Sequence, residues 1–262
     1  MLTGVEAKAL RAVNAADRRV RDVPSQLAER LRARGHPRIA SIVGALQIDS
    51  PLVLAFVATC VTLHAVGTLV RGENFARDVL GVWPWSTFRV SDLRSYPQLF
   101  THVLGHASWQ HLNGNLVNFL LVGPQIEREY GLFSMLKIMV WTAVFSALSH
   151  MALGPSNGVQ IGSSGVVFSL ILLSSLVAAQ DRRVPLTFVC QAVVWCWTEI
   201  GASLFSSNSD GISHLAHLSG ALVGTFAGYS LHYERRAGLS GGAELPSPTA
   251  WWRRLLRGGR TP

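Results

Sequence analysis

The chain has 262 residues, 49% of them hydrophobic and 15% charged, where a soluble domain carries about 25% charged residues. That composition excludes an ordinary soluble domain and a disordered chain, and it fits a membrane protein. The formal charge of +8 belongs to the two ends: residues 1–48 hold nine Lys/Arg against four Asp/Glu, residues 234–262 six against two, and residues 49–233 eight against nine. Basic ends of this kind fit the cytoplasmic flanks of a membrane protein better than a nucleic-acid site, so no nucleic-acid partner is expected.

Residues 1–48 read as a polar, Ala- and Arg-rich N-terminal extension. They lack the apolar core of a signal peptide. Breaks fall at Pro24 and at Gly35-His36-Pro37, and Val13, Val20, Leu27 and Leu31 recur loosely. One or two short helices are expected, lying on an anionic leaflet or forming a small soluble tail. A spanning helix needs about 20 mostly apolar residues. Six segments qualify or nearly qualify: about 51–70, 107–126, 133–153, 163–180, 184–205 and 211–232. The expected fold is an all-α polytopic membrane protein, a six-helix membrane domain over 49–233 followed by a basic tail over 234–262. The connection 71–106 holds four Arg but also "GVWPWSTF" and "SYPQLF", which suit the outer leaflet. Cys60, Cys190 and Cys196 lie in apolar stretches without metal-ligand spacing and are read as buried thiols.

Segments two and six are weak by hydropathy because they carry His and Asn. Polar groups inside a bilayer are costly and need a reason. In "HASWQHLNGNLVNF", His111, Asn115 and Asn118 share one helix face, with His106 just before them. Each alone suits a bond to a neighbouring helix; together on one face they suit the lining of a site. In "GSSG", Gly162 and Gly165 frame Ser163 and Ser164 where segment four begins. A helix N-terminus offers unpaired N–H groups, so a serine there sits beside donors for an oxyanion. A small-residue packing motif is the other reading. In "SHLAHLSGALVGTFAG", Gly220, Gly224 and Gly228 make consecutive GxxxG repeats for close packing on a neighbour. His217 lies two turns before Gly224 and faces the same seam. A serine and an imidazole are the minimum pair for an activated nucleophile. Segments two, four and six contain no Asp or Glu, although Asp210 lies nearby. His214 is one turn closer to the loop than His217, and the seam favours His217 as base.

In this order, over roughly 51–232, these pieces resemble the rhomboid intramembrane serine proteases. "HASWQHLNGN" resembles the family's H-x-x-x-N element, Gly123, Glu127 and Gly131 stand in "GPQIEREYG", "GSSG" matches G-x-S-G, and "AHLSGALVG" matches A-H-x-x-G-x-x-x-G. The resemblance implies a rhomboid-like six-helix bundle with Ser164 as nucleophile and His217 as general base. It implies that His111, Asn115 and the Ser164 N–H stabilise an oxyanion, that Phe168 packs on the catalytic histidine, and that Glu127 is structural. Gly162, Gly165, Gly220, Gly224 and His106 are expected to support the site. No metal or cofactor is implied. The implied partners are membrane lipids and single-pass transmembrane substrates, which enter beside helix five, here the Trp195/Trp197 helix. One departure is visible: the family's common Trp-Arg in the first loop is replaced by Pro97-Gln98, which implies altered loop packing and retained catalysis. The expected location is a bacterial plasma membrane with both termini cytoplasmic. Rival readings are a catalytically inactive rhomboid-like membrane chaperone and a transporter, whose inverted repeat of broken helices is missing here.

Overall fold

A computed structural model describes residues 12, 15–88, 91–156, 158–177, 186, 189, 190, 193, 194, 197 and 217–227. Expectations for His214, Asp210, Trp195, Cys196, Gly228, Gln180 and the tail 234–262 lie outside them, as does most of the fifth segment.

The N-terminal extension forms helices over 15–21, α1 (Val23–Ala33) and α2 (Pro37–Gly44). The break falls at Gly35-His36, as the sequence implied. Pro24 breaks nothing, because it sits in the first turn of α1, where its missing N–H has no helical acceptor to lose. α3 (Pro51–Arg71) follows, again with proline in the first turn, and ends at Gly72. The first connection carries a short π-helical turn (Ala76–Leu80), α4 (Ser95–Thr101) and a 3₁₀ turn (His102–Leu104). Next comes α5 (Trp109–Leu153), a helix of 45 residues in which Gly131 leaves helical geometry at φ 81°, ψ 158°. Only glycine adopts that backbone at ease. Gly131 therefore divides α5 into α5a (109–130) and α5b (132–153), each about 33 Å long at 1.5 Å per residue, enough to cross a hydrocarbon core of about 30 Å. α6 (Ser164–Val177) and a helical stretch over 217–227, here α7, complete the described elements.

Among the described residues the fold is helical, with a single β-bridge between Val82 and Gln160. Pro51–Arg71 and Trp109–Leu153 are long and apolar enough to cross a membrane. Polarity is distributed as a lipid solvent demands. Leu69, Leu121, Trp141 and Leu148 point outward, while Ser134, Thr142, Ser146, Ser163 and Ser169 are buried. The buried hydroxyls have partners: Thr142 donates to the Ile138 carbonyl at 2.8 Å and Ser169 to Val166 at 2.9 Å. Their side chains are 3.2 Å apart between α5b and α6. An unbonded hydroxyl in hydrocarbon would cost several kcal/mol.

Glu127 is fully buried, and its two carboxylate oxygens accept from the Leu52 and Val53 N–H groups at 3.0 and 2.9 Å. One acid thus caps α3, where free N–H groups and the positive end of the helix dipole favour a negative charge. It also locks the base of α5a to the base of α3. Cys60 is buried as expected, but Cys190 is exposed. Its described neighbours Leu186, Val189, Val193 and Val194 are exposed too. Apolar composition alone does not separate a surface of this kind from a buried core.

Candidate active site

α6 begins at Ser164. The first helical bond of this turn is Val167 N–H to the Ser163 carbonyl at 2.9 Å, so the Ser164 N–H lies among the donors with no intrahelical acceptor. Ser164 is half-buried and Ser163 is wholly buried. Gly162, just before them, has φ +118°, and a Cβ there would meet the His111 ring at 2.8 Å. Both its conformation and its space require glycine, which brings the backbone entering α6 against His111 and Asn115.

The two serines differ in their partners. Ser163 lies 3.2 Å from Nε2 of His106. Nδ1 of His106 faces the Leu104 carbonyl at 3.3 Å, so that nitrogen carries the proton and Nε2 accepts from the Ser163 hydroxyl. Burial, helped by the neighbouring His111 ring, pushes His106 down to about 3, and the neutral ring is maintained. This Ser–His pair resembles an activated nucleophile, but both side chains are sealed from any substrate. It fastens the backbone on either side. The half-buried Ser164 next door is the serine with access.

His111 and Asn115 come from the first turns of α5a. Ser108 caps this helix by accepting from the His111 N–H at 3.1 Å. The His111 ring packs edge-on against His106 at 5.2 Å between centroids. Asn115 is buried and its amide nitrogen finds no hydrogen-bond partner among the described residues; that nitrogen lies 3.8 Å from where a Gly162 Cβ would stand. Asn118 does not join them. It is exposed and donates to the Gly114 carbonyl at 2.9 Å, so the expected three-residue stripe is a pair.

α7 meets α6 without intervening side chains. A Cβ on Gly220 would strike the Gly165 carbonyl oxygen, and one on Gly224 would strike that of Ser169. The spacing of four on both helices means they run parallel and in register. His217 is one turn before Gly220, and Ser164 is next to Gly165. The ring of His217 lies 6.4 Å from that of the buried Phe168, tilted by 36°. The seam therefore places the His217 ring at the level where α6 starts.

A second layer, which the sequence reading did not single out, holds the approach to Ser164. His102 is fully buried, and burial lowers it to about 4. Its Nδ1–H donates to the Gln98 carbonyl at 3.1 Å, leaving Nε2 to face the Gln160 amide at 3.2 Å and the Ser146 hydroxyl at 3.3 Å. Its carbonyl accepts from the Gly162 N–H at 2.9 Å. Val82 and Gln160 exchange N–H···O bonds at 3.0 and 2.9 Å, and the first connection is thereby tied to the loop before Ser164. The departure at Pro97-Gln98 falls on α4, where Gln98 serves His102 through its main chain. The spacing 102, 106, 111 and the lone polar Gln160 between Val159 and Ile161 were the available signals.

A family model described as Rhomboid domain matches residues 93–234, more than half of the chain. The chain belongs to the rhomboid family. Among relatives of this rhomboid protein, "Rhomboid-like protein 11, chloroplastic" of Arabidopsis thaliana is 32% identical over 53% of this chain and 54% of its own. "Rhomboid-related protein 1" of Caenorhabditis elegans is 30% identical over 49% of this chain and 38% of its own. "Rhomboid protease GlpG" of an Enterobacter species is 25% identical over 66% of this chain and 60% of its own. The chain thus spans about half of the Arabidopsis relative's length and less than two fifths of the Caenorhabditis relative's. Rhomboids are integral membrane proteins, and intramembrane serine proteases belong to the family.

Proposed function

We propose that this rhomboid is an intramembrane serine endopeptidase acting on single-pass transmembrane proteins, with Ser164 as nucleophile and His217 as general base. The observation that carries the reading is the glycine seam, which pairs Gly220 with Gly165 and so brings His217, one turn earlier, to the entry of α6 beside Phe168. In the proposed reaction the Ser164 hydroxyl oxygen attacks the scissile carbonyl carbon while His217 takes its proton. The developing oxyanion lies among His111, the Asn115 amide nitrogen and the Ser164 N–H, donors fixed before the substrate arrives. His217 then returns the proton to the departing amine, and water hydrolyses the acyl-enzyme by the reverse sequence. The six-helix bundle, a bacterial plasma membrane, and cytoplasmic termini with the site opening outward belong to this proposal. The bundle and the orientation rest on the six apolar segments and on the placement of Lys and Arg, and the bacterial membrane on the Ala- and Arg-rich composition.

A fluorophosphonate probe on the purified chain tests the reading. Labelling is expected at Ser164, abolished by Ser164→Ala and by His217→Ala, and kept by His214→Ala together with cleavage of a model transmembrane substrate. Absence of labelling in folded wild-type protein would favour the inactive chaperone or the transporter. A dead His214→Ala beside an active His217→Ala would reassign the base.

A further inference from the structure

We propose that the N-terminal hairpin, residues 15–45, is a lipid-binding element that lays one apolar face into the anionic leaflet where α3 enters the membrane.

The hairpin closes through small residues. Pro24, Ala28 and Ala40 are buried, and a Cβ on Gly44 would meet that of Ala28 at 3.3 Å. Its large apolar residues are left outside: Val20, Val23 and Leu27 are 41–47% exposed, Ile39 52%, Ile42 67% and Leu46 62%. Each set follows the spacing i, i+3, i+7, one stripe along each arm of the hairpin, with Val20 in the helix just before α1 and Leu46 just past the end of α2. At 100° per residue, Val20, Val23 and Leu27 are rotated from the Pro24–Ala28 seam in the same sense as Ile39, Ile42 and Leu46 are from the Ala40–Gly44 seam. The two helices run antiparallel across the turn at 34–36. Rotation in the same sense, by roughly 90° on the first arm and roughly 150° on the second, carries antiparallel partners to one side of the pair, so these large apolar side chains share that side. That is more than scattered surface hydrophobics supply.

Charge and position identify the occupant. Residues 15–45 carry seven Arg against three acids, a net +4, which suits anionic headgroups. Pro51, the first residue of α3, follows the end of α2 by only seven positions. The hairpin is also fastened at that level. The Arg21 guanidinium donates to the Asp49 carbonyl, and Arg128 at the base of α5a pairs with the Asp49 carboxylate at 2.6 Å. An amphipathic, cationic pair tied to the mouth of a membrane span has the leaflet as its neighbour.

The test places an environment-sensitive fluorophore at Ile42→Cys, or on the opposite face at Glu29→Cys, in the full chain with its native cysteines replaced by serine. The protein is reconstituted in phosphatidylcholine vesicles with and without phosphatidylglycerol. In anionic vesicles, lipid-borne quencher should reduce emission at residue 42 at least about twofold more than at residue 29, aqueous iodide should show the reverse order, and high salt should weaken the difference. Hydrogen exchange of the unmodified chain in nanodiscs gives a reading without substitutions: segment 37–46 should be more protected in anionic than in zwitterionic lipid. Equal quenching in both lipids, iodide access at residue 42, or shielding of residue 42 from both quenchers, as a second copy or another protein would cause, overturns the proposal.

Discussion

Two adjacent serines carry opposite burdens here. Ser163 donates a hydrogen bond to a sealed histidine, whereas Ser164 stands at a helix mouth. Ser163→Ala leaves Nε2 of His106 without its donor, a loss of about 1–3 kcal/mol. A lower unfolding temperature in detergent is expected, with fluorophosphonate labelling of Ser164 retained. Loss of labelling at unchanged stability would show that Ser163 takes part in the chemistry. Asn115 should behave the other way. Its buried amide nitrogen lacks a partner among the described residues, so Asn115→Ala removes a cost of burial and should leave thermal stability equal or higher. Oxyanion donors contribute about 2.7–4 kcal/mol in soluble serine proteases, and cleavage should drop by roughly ten- to a thousandfold. Full activity in the purified variant would make Asn115 a packing residue.

The histidines of the first connection give this element a pH response. Burial lowers His102 to about 4 and His106 to about 3, while both titrate near 6.5 once unfolded. The unfolded chain therefore binds more protons between those values, and stability rises with pH through that window. Above about 6.5 neither histidine contributes a slope. The unfolding midpoint should fall as pH is lowered from about 6.5 toward 4, and His106→Gln should flatten the fall in part, with His102 among the groups that sustain the remainder. An identical pH profile in that variant would refute the assignment. At this scale much could be read from the chain. Pro51 and Gly72 delimit α3 within a residue or two of the expected 51–70, and α5a and α5b were expected as two segments because "EREYG" interrupts their apolarity. The 3.6-residue period placed Asn118 with His111 and Asn115, but a period gives an angle around the axis and not what stands opposite at each level. The His102–Gln160 contact joins residues 58 apart, and no local pattern encodes it. The role of Ser163 is equally non-local, because its partner comes from a loop 57 residues earlier.

Across the whole molecule, the Lys and Arg distribution sets an orientation that labelling can check. A cysteine at the exposed Ser156, before α6, should react with impermeant maleimide from outside intact cells, and one at Gln180 should not. Reversed labelling would invert the topology. The strap between the first connection and the loop before Ser164 bears on how such a protein can diverge. Its ties from Val82 to Gln160 and from His102 to Gly162 run from main chain to main chain. Such bonds survive replacement of the side chains that flank them. The exposed part of the first connection can therefore drift in sequence, as at Pro97-Gln98, while the entry to α6 is held by the same three main-chain hydrogen bonds. Lineages adapting to bilayers of different thickness or composition are free to rewrite that surface without rebuilding the centre it encloses.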